Sequence, residues 1–223
     1  SGDGGGGGGG GQPSTFTVGG TISGLVGTAV LQNNGGDNLS VSANGTFTFS
    51  TPIANGSAYA ATVRTQPTGP SQTCMVGNGS GSVGGANVTH VAIVCTTNTY
   101  TVGGTISGLA GAGLTLRNNG GNDLTIAASA TAFTFTTPVA SGAAYAVSIS
   151  AQPGAPSQTC TVSNGSGSVG SCNIGGVAIA CATNAYTIGG TVSGLQGAGL
   201  VLRNNGGDDL AVPANATAFT FAM

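Results

Sequence analysis

Three observations predict an all-β fold for this chain, a tandem run of β-sandwich modules. Long phrases recur at intervals of one domain length. Apolar residues alternate with Thr, Ser and Asn over short stretches. Gly- and Asn-rich turn signals fall about every 8–12 residues, the spacing of a sandwich.

The repeat organises everything else. TVGGTISGL, beginning at Thr17, returns at Thr101 and, as TIGGTVSGL, at Thr187. LQNNGGDNL at Leu31 becomes LRNNGGNDL at Leu116 and LRNNGGDDL at Leu202. FTF at Phe47 recurs at Phe133 and Phe219, and PSQTC and NGSGSVG each occur twice. The offset grows from 84 residues between Thr17 and Thr101 to 86 between Phe47 and Phe133, so small insertions sit in turns. A period this long exceeds the roughly 20–50 residues of solenoid repeats and matches a string of whole domains. The expected organisation is a Gly-rich flexible arm over 1–15, modules over 16–98 and 99–184, and an incomplete third module over 185–223.

One module reads as about seven short strands. Phe16–Ser23 is the first and Ala29–Gln32 the second. The turn Asn33-Asn34-Gly35-Gly36 follows, because Asn-Gly suits a hairpin that needs positive φ. Leu39–Ser42 and Thr46–Ser50 come next, the latter with Phe47 and Phe49 on one face. Tyr59–Thr65 alternates, placing Tyr59, Ala61 and Val63 inward and Arg64 outward. Gln72–Val76 and Val88–Cys95 complete the set. Period-2 alternation in seven strands fits an Ig-like sandwich. A β-helix fits less well, since its repeat is far shorter, and no segment keeps a helical period.

Composition narrows the function classes. Only 4% of residues are charged, against about 25% in an average globular protein. Lys and Glu are absent; the charges are Arg64, Arg117, Arg203 and five Asp. A net charge of −2 offers no basic patch for nucleic acid and no polybasic membrane arm. No apolar run approaches the roughly 18 residues of a membrane span. Disorder combines low hydrophobicity with high net charge, and 39% apolar residues at net −2 give neither. The glycines lack the period of collagen. A neutral surface without Lys on its edge strands is permissive for lateral packing.

Cys74 and Cys95 lie 21 residues apart, and Cys160 and Cys181 repeat that spacing at equivalent positions. Cys95 shares a face with Val91 and Ile93 and so points inward. Each pair reads as an intramodule disulfide, closing a loop worth about 3 kcal/mol in the chain-entropy model. Zinc is the rival, but a module does not supply four ligands. Structural disulfides imply a compartment outside the cytoplasm. Cys172, whose counterpart is Ala86, is left over. It reads as a free buried thiol or as an intermolecular bridge.

Little else points to chemistry. His90 is the only histidine, and its counterpart is Gly176, so a Ser-His-Asp site has no support. No carboxylate pair is placed for acid–base work on sugars. Asp37, Asp123, Asp208 and Asp209 cluster in one repeated turn. That turn is a weak Ca²⁺ candidate; an Asx-turn opening the next strand is the plainer reading. The Gly-rich phrases lack a P-loop pattern, and no cofactor is expected. Without Lys, Lys–Asn isopeptide crosslinks cannot form. Tyr59, Tyr145 and the Phe pairs are expected in the core rather than stacked on sugars.

The phrases Y-T-V-G-G-T-[IV]-S-G-L, L-x-N-N-G-G-x-x-L, F-T-F and Q-P-x-x-P-S-Q-T-C resemble modules repeated in large surface proteins and lipoproteins of Gram-negative bacteria. The resemblance covers residues 16–223 and implies export and tandem architecture, with no reaction and no ligand. Ser1-Gly2-Asp3 before the Gly run resembles a lipoprotein just after its lipidated cysteine, which places a lipid anchor upstream of Ser1; a plain flexible linker is the alternative.

The expectation is therefore a non-catalytic extracellular stalk or fibre subunit that associates with itself; an adhesin is the alternative. The third module lacks the Tyr strand and both Cys strands, which would bare Val192, Leu200, Leu202, Leu210, Phe219 and Phe221 to water. Strands from a neighbouring subunit, or a continuation of the chain, would cover them.

Overall fold

A computed structural model describes residues 13–222, and every helix or strand among them is a strand. The arm expected over 1–15 lies outside the described residues as far as position 12, as does the lipid-anchor expectation attached to it.

The first sandwich contains β1 (Thr15–Phe16), β2 (Val18–Ser23), β3 (Ala29–Asn33), β4 (Asp37–Val41), β5 (Gly45–Thr48), β6 (Ile53–Ala54), β7 (Ala58–Thr65), β8 (Gln72–Gly77), β9 (Ser80–Ser82) and β10 (Val88–Thr97). One four-stranded sheet runs β4-β3-β7-β9 and the other β5-β2-β10-β8, with β1 paired to β6 alongside. Pairing is antiparallel except for β2 against β10, which is parallel with Ile22 opposite Ile93. First and last long strands therefore lie side by side, and the sandwich closes only after its whole length is made. The strands read from alternation are all present. Two further short ones, β6 and β9, are too brief to show a period, and Ser80-Gly81-Ser82 holds no apolar residue. The expected first strand is split at Thr17, where pairing passes from β6 to β5 and β10.

Alternation places the core. Leu31, Phe49, Val91 and Ile93 are buried, and each large apolar side chain so placed contributes about 1.5–3 kcal/mol. Phe47 and Phe49 meet edge to face with centroids 5.7 Å apart. Tyr59 and Ala61 are buried, Val63 is half-buried and Arg64 is exposed. The hairpin turn follows its chemistry: Asn34 and Gly35 have φ of 49° and 73°. Asn33 departs from the turn expected for it. It ends β3, is 2% exposed, and its Oδ1 accepts from the Ala60 amide at 3.1 Å.

The repeated Gly-Gly has a packing cause. Gly20 lies in β2, between β5 and β10, where β10 bulges between Val88 and Val91. A Cβ on Gly20 would collide with the Val91 carbonyl, and one on Gly104 with that of Val177. Only glycine lets the parallel pair close at this point.

The second sandwich repeats the first: β11 (Thr99–Tyr100), β12 (Val102–Ser107), β13 (Thr115–Asn118), β14 (Asn122–Thr125), β15 (Ala132–Thr134), β16 (Val139–Ala140), β17 (Ala144–Ala151), β18 (Gln158–Ser163), β19 (Ser166–Ser168) and β20 (Ile174–Thr183). Its sheets run β14-β13-β17-β19 and β15-β12-β20-β18, with β11 on β16. A separate core gathers around Leu114, Leu116, Phe135 and Ile179.

Four strands follow: β21 (Gly189–Thr191), β22 (Leu200–Asn204), β23 (Asp208–Val212) and β24 (Ala218–Thr220). They form two two-stranded sheets, β21-β24 and β22-β23. Their inner residues are not bared to water as the sequence implied. Phe221 and Val212 are buried, and Val192, Leu200, Leu202, Leu210 and Phe219 are half-buried. The Phe pair again meets edge to face, at 5.8 Å, which helps to cover this face.

Candidate functional site

Buried polar side chains pin the loops of each sandwich. Gln72, 2% exposed, accepts from the Val26 amide through Oε1 at 2.7 Å. Its Nε2 donates to the Gly24 carbonyl at 2.8 Å and to Thr97 Oγ1 at 3.2 Å. Gln158 does the same with the Ala110 and Gly111 amides, the Gly108 carbonyl and Thr183. Each Gln thus ties the loop after the Gly-Gly strand to the end of the last strand.

Cys74 and Cys95 face each other in register on β8 and β10 and are bonded, as are Cys160 and Cys181 on β18 and β20. Both bonds join neighbouring strands of one sheet rather than crossing the sandwich. Cys172 is unpaired and exposed, against the buried thiol among the two expectations. It lies in the loop before β20.

The repeated carboxylates serve the turns. Asp37 accepts from the Ser50 hydroxyl and the Thr51 amide, both at 2.8 Å. Slight burial pushes its pKa up, but the Thr51 amide and Ser50 hydroxyl outweigh it, and the net shift is down. Asp123 is held below the usual carboxylate range by the Arg117 guanidinium, which donates from Nη2 at 2.8 Å. Arg203 does the same for Asp209. These carboxylates face protein donors, and no group of three or more His, Cys, Asp or Glu lies together among the described residues. Asn122 replaces Asp37 in the second sandwich, and its buried Nδ2 has no partner. His90 is exposed, with Nε2 3.1 Å from the Tyr59 hydroxyl, and among the described residues no carboxylate bonds to it.

The joint between the sandwiches is the most elaborate polar site, and the sequence did not disclose it. Asn98 alone separates β10 from β11. Its amide donates to the Ser71 carbonyl at 3.0 Å, and its Nδ2 to Ser71 Oγ at 2.8 Å. Thr73 Oγ1 donates to Asn98 Oδ1 at 2.8 Å. From the second sandwich, the Tyr100 hydroxyl lies 3.2 Å from Ser71 Oγ. Ser141, 6% exposed, accepts from the Ser71 amide at 2.9 Å and donates to the Gly170 carbonyl at 2.7 Å. The Ser141 amide donates to the Asn98 carbonyl at 2.8 Å. Pro70 is half-buried beside Gly142, whereas its counterpart Pro156 is exposed.

The second joint reproduces the first half of this set. Asn184 bonds Ser157 through amide and Nδ2 at 2.9 and 2.8 Å, Thr159 donates to Asn184 at 2.7 Å, and the Tyr186 hydroxyl lies 3.0 Å from Ser157 Oγ. PSQTC and the two Tyr residues were visible as repeats; nothing in the sequence showed that they meet.

No protein-family model matches the chain. No curated protein matches it significantly. Among solved structures, the Bacillus anthracis TIE protein is similar over 93% of this chain and 43% of its own, at 14% identity and a TM-score of 0.51. The chain thus spans less than half the length of that protein, and the likeness is one of fold. The major pilin protein of Streptococcus pyogenes aligns over 75% of this chain and 95% of its own, at 12% identity and a TM-score of 0.22, too low to carry an argument.

Proposed function

We propose that the chain is a non-catalytic structural protein of the cell exterior, a surface stalk or fibre subunit built of disulfide-pinned sandwiches. The observation that carries this reading is the joint. Two sandwiches are set end to end with one residue between them, and that residue is bonded into both neighbours. A flexible tether would serve a binding module better; a tight joint transmits force and holds spacing. Disulfides across the last strands fit an oxidising compartment. The repeat phrases that resemble Gram-negative surface proteins favour the outer envelope as the place of work.

The finer reading includes self-assembly. The edges of the last strand set carry no Lys to discourage pairing, and strand addition between subunits at such an edge is the contact proposed. Such head-to-tail addition produces filaments unless rotation closes a ring. Negative-stain microscopy of the native protein tests the function. Rods or filaments of repeating sandwiches are expected; isolated particles with freely varying angles at the joints overturn the reading.

A further inference from the structure

We infer that the trailing end of each sandwich is a selective coupling surface, and that its partner is the leading edge of a sandwich carrying Tyr and Ser at the positions of Tyr100 and Ser141. The surface consists of Ser71 with the linker residue Asn98. It presents three groups outward: the Ser71 amide, the Ser71 hydroxyl and the Asn98 carbonyl. The leading edge of the second sandwich answers each of them. Ser141 Oγ takes the amide, the Tyr100 hydroxyl meets the hydroxyl, and the Ser141 amide meets the carbonyl. Ser141 is buried in doing so, and its own proton goes to the Gly170 carbonyl, so its hydroxyl both donates and accepts.

The first sandwich shows the alternative. At the position of Tyr100 it carries Phe16, which has no hydroxyl. At the position of Ser141 it carries Asn55, whose Oδ1 accepts from Gly85 of its own sandwich at 2.8 Å. The Asn55 amide still donates to the Ser14 carbonyl at 2.9 Å, matching Ser141 to Asn98, so the backbone is the same and only the side chains differ. A Phe16 and Asn55 edge cannot meet the Ser71 hydroxyl or cap the Ser71 amide in the way Tyr100 and Ser141 do. The third strand set carries Tyr186, which meets Ser157 as Tyr100 meets Ser71, and so shows the Tyr half of the arrangement. Two side chains therefore sort leading edges into those that dock on a preceding sandwich and those that do not.

The biological use of this sorting rests on the structural reading above; its chemistry does not. The test gives the second sandwich the edge of the first. In the full chain with Cys172→Ser, the equivalent exposed positions Ser40→Cys and Thr125→Cys carry spin labels for a distance-distribution measurement. Tyr100→Phe with Ser141→Asn is expected to widen the distribution about twofold, the default mobility of domains without a specific interface. The sandwich should still fold, because the first one folds with those two residues. Ser71→Ala removes the hydroxyl that the Tyr100 hydroxyl and Asn98 Nδ2 meet, leaves the amide bond to Ser141, and is expected to widen it too. Phe16→Tyr with Asn55→Ser should leave the width unchanged. An unchanged distribution in both Tyr100→Phe/Ser141→Asn and Ser71→Ala overturns the inference. Microscopy of the native protein is a separate readout, so a chain that forms no fibre can still carry the coupling surface, and the reverse.

Discussion

Arg117 and Asp123 face each other across β13 and β14, and in the first sandwich the same two positions hold Gln32 and Asn38, bonded at 2.8 Å. The third strand set again has the charged pair, Arg203 and Asp209. One geometry is thus met by a neutral pair once and by an ion pair twice. Substituting both members together keeps it; substituting one does not.

This gives the first prediction. Arg117→Gln with Asp123→Asn should move the melting temperature of the second sandwich by no more than about 2 °C, since exposed pairs contribute little. The pH response should change instead. Asp123 has its pKa lowered in the fold, chiefly by the Arg117 hydrogen bond, so its contribution is present above the unfolded carboxylate pKa. It is lost as pH falls through the lower, folded value. The paired variant should show a flatter acid limb in thermal melts than the parent; an identical limb contradicts the assignment.

Gln72 contrasts with that surface pair because it is buried and bonded through both its oxygen and its nitrogen. Gln72→Leu removes an acceptor from the Val26 amide and a donor from the Gly24 carbonyl. Each hydrogen bond lost costs about 0.5–1.5 kcal/mol, and a domain of this size loses about 4–8 °C per kcal/mol. The first sandwich should therefore melt at least 4–8 °C lower, by about 1 kcal/mol or more. Calorimetry on the full chain reads this, with the second sandwich as internal reference. A shift under about 2 °C contradicts the clamp.

Asn122 allows a stabilising change. The equivalent Asp37 accepts from Ser50 and Thr51, whereas Asn122 keeps a buried Nδ2 without a partner. Asn122→Asp places acceptors on both sides, with Thr137 lining the same cleft. The second sandwich should gain about 1 kcal/mol near neutral pH. The gain should fade as acid protonates the new carboxylate, and a loss of stability at neutral pH argues against the comparison.

The cysteines make a chemical prediction. Only Cys172 is unpaired, and it is exposed. Native protein should take up one equivalent of a thiol reagent without reductant, and a non-reducing peptide map should recover it on Cys172 alone. A map linking Cys172 to Cys160 or Cys181 contradicts the pairing.

The strands were legible because each inward residue announces itself two positions on. Tyr59, Ala61 and Val63 did so, as did Val91, Ile93 and Cys95. The Asn34-Gly35 turn was legible because its backbone demands those residues. β9 was not, since Ser80–Ser82 carries no pattern and is held by pairing with β7. The joint was illegible for a different reason. Ser71 and Ser141 are 70 residues apart and join through the amide of one and the hydroxyl of the other, in loops that have no period. Phe16 in place of Tyr100 and Tyr186 was the one trace of it, and its meaning needed the partner in view. The exposed position of Cys172 was equally hidden, because spacing shows which cysteine is unpaired and not how it is covered.

The last prediction concerns assembly, and it separates the joints from the incomplete strand set. In the two complete sandwiches Leu31 and Leu116 are fully buried, whereas the equivalent Leu202 is only half-buried. Tyr186 is 69% exposed and Val201 54%, beside sheets of two strands. Burying such a set fully contributes about 1.5–3 kcal/mol for each large side chain, which favours any added strand. The chain has no Lys to discourage that addition at an edge. If strands of a second copy add to the edges of this set, a protein of residues 12–185 should keep both sandwiches and their joint yet lose filament formation. The four strands from Gly189 to Thr220 are then required for assembly, and restoring them should restore it. Filaments of unchanged diameter and repeat from residues 12–185 place the contact elsewhere, on the neutral faces of the complete sandwiches.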